Sequence, residues 1–131
     1  MQRCKYLDDL GLKIEDYGTN FISDSDSREA DWSKEREDYG FDNRETWNLD
    51  RIFIEWIYTR VMMYKEHSCI DTGYHKIPYQ KETITQGQAI DKIMDLAKQI
   101  LLDTDDDDEL CYENSREICD LWKEVLPYMW W

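Results

Sequence analysis

The sequence predicts a mainly α fold: a small bundle of three to four helices with a long central helix and, near residues 70–84, an extended turn or short β-hairpin. Three observations carry this. Apolar residues recur at three- and four-residue steps in the middle of the chain, a capping box opens a second such run, and Pro127 closes a third. With 131 residues, 41% of them hydrophobic and 14% aromatic, the chain has the apolar material for one domain with a real core, unlike a disordered acidic tail.

Taken in order, Tyr6, Leu7, Leu10 and Ile14 fit a short first helix that Gly18 would stop. The Ser, Asp and Glu content of residues 19–39 predicts a surface loop anchored by Phe21, Ile22 and Trp32. Leu49, Ile52, Phe53, Trp56, Ile57, Met63 and Tyr64 predict the central helix over about 48–67, with Ile54, Tyr58 and Val61 elsewhere around it. Asp42, Asn43 and Thr46 mark its start as residues able to cap. Gly73, Pro78 and the alternating run His75 to Tyr79 suggest the turn or hairpin.

In Thr85-Gln86-Gly87-Gln88 the threonine side chain would accept from the Gln88 backbone while the Gln88 side chain reaches back. Ile90, Ile93, Met94, Ala97, Ile100 and Leu101 continue that helix to about Leu102. A last helix places Leu110, Cys111, Asn114, Ile118, Leu121, Trp122 and Val125 on one face before Pro127, which cannot continue it. Trp47, Trp56 and Trp122 are expected to fill the core. The organisation is thus a single domain, 1–131: an acidic N-terminal extension over 1–38, a helical core over 39–102, and an acidic C-terminal helix with an aromatic tail over 103–131.

Charge narrows the function. Asp plus Glu number 30 against 16 Lys plus Arg, a formal −14, and the acid is segregated. Residues 1–45 carry 7 basic and 13 acidic groups, 46–102 carry 7 of each, and 103–131 carry 2 basic and 10 acidic. Direct nucleic-acid binding and adhesion to anionic membranes both need the opposite balance. Neither a secretory leader nor a run of about 18 apolar residues is present, so a cytoplasmic protein is expected, with Cys4, Cys69, Cys111 and Cys119 as free thiols.

The common catalytic motifs are missing: no phosphate-binding glycine loop, paired-histidine zinc helix or nucleophile elbow occurs. Asp103, Asp105 and Asp107 alternate like the start of a calcium loop, but Asp108 replaces the turn glycine and Asn114 the twelfth-position glutamate. His67, Cys69, His75, Cys111 and Cys119 form no tight zinc pair, and His67 with Cys69 lacks a third orienting group for nucleophilic catalysis. No enzyme, metal or cofactor is expected. What stands out instead is the block Asp105, Asp106, Asp107, Asp108 and Glu109, continued by Glu113, Glu117 and Asp120, with Asp24, Asp26, Glu29 and Asp31 as a second patch. Trp130 and Trp131 form a candidate hydrophobic interface, since an apolar tail must fold back or meet a partner.

The stretch Tyr39-Gly40-Phe41-Asp42-Asn43-Arg44-Glu45-Thr46-Trp47-Asn48-Leu49-Asp50, continued by Trp56-Ile57-Tyr58, Met63-Tyr64-Lys65-Glu66 and Ile84 to Asp91, resembles small uncharacterised acidic proteins of tailed bacteriophages and prophages, over about residues 39–102. The resemblance brings no activity or functional residue with it. The phage resemblance, the small size, the absence of catalytic motifs and the segregated acid lead to one expectation: a non-enzymatic inhibitor acting in the bacterial host cytoplasm. It would bind a basic nucleic-acid-binding protein, such as a CRISPR nuclease or another defence effector, by nucleic-acid mimicry. The alternative is a structural or assembly accessory protein acting through the aromatic tail or as a homodimer.

Overall fold

The structure is a computed structural model and describes residues 3–13, 17–18, 26–68 and 74–129. It is mainly α, with six helices among the described residues and one two-stranded antiparallel hairpin. Two compact units divide the chain, residues 1–56 and 57–131. No described helix is long and apolar enough to cross a membrane.

In the first unit α1 (Lys5–Asp9) is a single turn, α2 spans Glu29–Tyr39, α3 is the short Arg44–Trp47, and the first half of α4 (Leu49–His67) completes it. The surface loop expected over 19–39 is corrected by α2. That helix is almost wholly polar, and only Trp32 of it is buried, at 1% exposure. Its stability comes from tethers at its end rather than from an apolar stripe. Gly40, at φ 85°, takes the left-handed C-terminal position that a Cβ would disfavour, and donates to the Arg36 carbonyl. The anchors Phe21 and Ile22, and Ile14 of the first helix, lie outside the described residues.

The central helix forms as expected, but its inward side differs. Ile54, Ile57, Tyr58 and Val61 are buried, whereas Leu49, Trp56 and Met63 are exposed. The helix carries two apolar stripes, and 54/57/58/61 is as good a 3.6-residue set as the one favoured by counting large side chains. The expectation that Trp47 and Trp56 fill the core is corrected likewise: they are 43% and 45% exposed, and Trp122 is half-buried.

In the second unit β1 (Lys76–Tyr79) and β2 (Glu82–Thr85) pair with Tyr79 opposite Glu82 across the two-residue turn Gln80-Lys81. Both turn residues have positive φ, 47° and 67°, the backbone of a I′ turn without the Asn-Gly that favours it. Pro78 faces Thr83 at a non-hydrogen-bonded position, where its missing N–H interrupts no ladder bond. The capping box forms, with Gln88 N donating to Thr85 Oγ1 (3.0 Å) and Thr85 N to Gln88 Oε1 (2.9 Å). It opens α5 (Gln86–Leu102). After a five-residue loop α6 (Asp108–Val125) runs back antiparallel, as Asn114 Nδ2 bonding Leu96 O and Gln86 Nε2 bonding Tyr128 O require. Ile90, Ile93, Ala97, Ile118, Leu121 and Val125 fill the interface.

Candidate functional site

The acidic segment begins as a folding device. Asp103 Oδ1 accepts from Asp105 N (3.1 Å) and Oδ2 from Asp107 N (2.8 Å), while Asp107 Oδ1 caps α6 by accepting from Leu110 N (3.0 Å). Asp106 closes the loop at φ 50°. The carboxylates of Asp103 and Asp107 are therefore consumed by local backbone. Asp105, Asp106, Asp108 and Glu109 remain exposed, and the last two sit in the first turn of α6, where the helix dipole favours negative charge.

Beyond that turn the dipole no longer explains the acid. At 3.6 residues per turn Glu109, Glu113, Glu117, Asp120 and Glu124 fall within an arc of about 80° and extend over about 22 Å of helix axis. Asp120 and Glu124 approach the negative end of the dipole, where cations are preferred. Glu113 and Asp120 make no side-chain hydrogen bond or ion pair among the described residues, and Lys123 reaches Glu124 only at 3.9 Å. Arg116, on the flank of the stripe, turns to the Tyr112 hydroxyl at 3.1 Å.

Glu117 has a neutral partner. The Tyr79 hydroxyl donates to its Oε1, tying the hairpin to α6, and the adjoining carboxylate pushes the tyrosine pKa up to about 12, aided by burial. Tyr79 therefore stays protonated across any physiological range.

The second predicted patch is organised differently. Asp24 lies outside the described residues. Asp26 is gripped by Arg28 through Nε and Nη2, both at 2.9 Å, and those bonds hold its pKa down to about 2. Glu29 pairs with Arg36, which also reaches Asp42 at 2.6 Å. Asp31 is exposed. The fold thus brings Glu109, Glu113, Glu117 and Asp120 onto one stripe and commits Asp26 and Glu29 to cations of their own chain. Glu124 was missed by the sequence reading, although the 4, 4, 3 spacing of the other four predicts an acid there.

The motif around Asp42 is a structural node. Asp42 is buried, accepts from Arg44 N (3.1 Å), Nε (3.0 Å) and Nη2 (2.8 Å), and these bonds hold its carboxyl down to about 2. Arg44 in turn lies over the Trp32 ring at 4.4 Å, with Arg28 4.9 Å from the same ring and Trp47 edge-on at 6.0 Å. Asn43 accepts from Trp32 Nε1 at 3.0 Å, and its own N–H donates to Glu35 at 2.7 Å. Arg44 therefore pairs with Asp42, two positions before it in the chain.

Trp130 and Trp131 lie outside the described residues. The tail up to Met129 is attached: Tyr128 stacks on His75 at 4.4 Å and its carbonyl accepts from Gln86. Cys4, Cys111 and Cys119 are free thiols, and Cys69 lies outside the described residues. Among the described residues no three His, Cys, Asp or Glu side chains gather as a metal site would require. The chain matches no protein-family model, no curated protein and no solved structure.

Proposed function

We propose that this chain is a phage-encoded, non-enzymatic inhibitor that occupies the basic nucleic-acid-binding surface of a bacterial defence protein, a CRISPR nuclease foremost, by presenting α6 in place of a nucleic-acid backbone. The observation that carries this reading is the stripe Glu109, Glu113, Glu117, Asp120 and Glu124. It is aligned along one face and, past its first turn, is unexplained by capping or by the dipole. Carboxylates four residues apart rise about 6 Å, close to two phosphate steps of about 3.4 Å along one strand, so the stripe repeats the charge spacing a basic groove is built to meet. Asp105, Asp106 and Asp108 extend it at one end. Complementary fields of this kind speed encounter and weaken with salt.

The test is capture of host proteins by the full chain at low and high salt, followed by displacement with duplex DNA. A basic nucleic-acid-binding protein released by both salt and DNA is the expected outcome. Recovery of only the chain itself, or of a partner indifferent to salt, sinks mimicry and favours the second reading. That reading, an assembly role through an aromatic interface or a homodimer, is supported by the exposure of Tyr39, Phe41, Trp47 and Trp56.

A further inference from the structure

Where the hairpin turn meets the C-terminal half of α6 there is a cleft of about 610 Å³. On the hairpin side it is lined by Pro78, Tyr79 and Glu82, and on the α6 side by Glu117, Asp120 and Glu124. Lys81 and Lys123 also line it, so acids outnumber cations there. The same α6 carboxylates are the C-terminal end of the acidic stripe, so here the stripe borders a concave surface that includes Pro78 and the Tyr79 side chain.

We infer that this cleft is a docking site for an arginine side chain on an extended basic segment of the partner protein. The inference deepens the mimicry reading and rests on it. Arginine is the cation that fits: its methylene stem can lie on Pro78, its planar guanidinium can stack on the Tyr79 ring, and its fork matches two carboxylates at once. Lysine offers a point charge with a stronger hydration shell and gains less from an apolar floor. The Tyr79 hydroxyl occupies only one oxygen of Glu117 and fixes the ring beside the acid wall, leaving the other oxygen for a guanidinium donor. Lys123 is a weak competitor, since it meets Glu124 at 3.9 Å and is largely solvated. Charge complementarity selects a basic protein segment over nucleic acid, whose phosphates the wall would repel.

The experiment titrates the isotopically labelled full chain with tetra-arginine and, separately, tetra-lysine, following backbone amide resonances. Saturable shifts confined to residues 78–82 and 117–124 are expected, with tetra-arginine binding at least about threefold tighter than tetra-lysine. Asp120→Asn with Glu124→Gln should weaken tetra-arginine by about tenfold, whereas the charge-matched Asp105→Asn with Asp106→Asn should leave it within about twofold. Asp105, Asp106 and Asp120 are exposed and Glu124 is half-buried, and unchanged resonances elsewhere report that each variant is folded. Shifts centred on the 103–109 loop, equal affinity for both peptides, or equal loss in both variants would overturn the inference. The failures are separable. Salt- and DNA-sensitive capture of a basic host protein that ignores the cleft variant defeats the cleft and leaves mimicry standing, while a cleft that binds tetra-arginine in a chain that captures no such protein defeats mimicry alone.

Discussion

Both units are acidic, but they treat their acid in opposite ways. In the first, Arg28, Arg36 and Arg44 reach Asp26, Glu29 and Asp42, and two of the three also cover Trp32, so charge and aromatic packing are one structure. In the second, α6 carries five carboxylates in line, with one distant lysine and one tyrosine hydroxyl as their side-chain partners among the described residues. Net charge alone therefore says little about function. What differs is whether the chain supplies its own cations, and where it does not, an outside cation can be accommodated without first breaking an internal pair.

It follows that substitutions in the first unit should cost stability and those on the stripe should cost binding. The largest effect is expected for Trp32→Ala, which empties the space between two guanidinium groups and should destabilise the unit by about 4 kcal/mol in urea unfolding followed by circular dichroism. Next, Asp42→Ala strands a buried Arg44 and should cost about 3 kcal/mol, with amide exchange accelerating over 29–47. The pH dependence has a definite sign. Asp42 titrates in the folded chain near 2, below the ordinary carboxylate value of about 4, so its contribution is complete above about pH 4 and disappears as pH falls towards 2. Asp42→Asn should flatten that acid limb. Glu55 works the other way: burial raises its pKa against the bonds from Gly18 and Arg51, so its ionisation opposes folding and acidification through its range favours the folded unit.

Effects in the second unit should be smaller. Gln80→Asn with Lys81→Gly relieves two left-handed residues and should stabilise the hairpin by about 1 kcal/mol, read from its amide protection. Smallest of all, Glu113→Gln removes a like charge at four-residue spacing from Glu109 and Glu117 and should raise the melting midpoint by about 1 °C while weakening a basic partner. A loss of stability there as large as that at Asp42 would erase the contrast.

What could be read from sequence was what local chemistry decides. The Thr85–Gln88 box, the end of α5 at Leu102 and the inward face of α6 all appear where spacing placed them, because capping and a single apolar stripe are properties of neighbours in the chain. The side of α4 that faces inward was not legible, since Leu49, Trp56 and Met63 and the 54/57/58/61 set are equally periodic and only tertiary packing chooses between them. Nor was α2, whose one apolar anchor is held by arginines from outside the helix, although Gly40 and the Lys34–Asp38 pair were available as signals. Of the candidate site, the acids of α6 were legible as a period. The cleft beside them was not, because it needs a hairpin joined to α6 by Tyr79, a contact spanning 38 positions.

Pro78 has a consequence for the chain in bulk. A two-stranded sheet ends in two raw edges, and an unguarded edge is a template on which further strands of any protein can grow. By facing its ring nitrogen outward from β1, Pro78 removes the donor that an incoming strand would need on the side nearest α6. The hairpin can thus hold its turn against the acidic helix at high concentration without recruiting strands along that border, leaving the α6 carboxylates open for association through side chains.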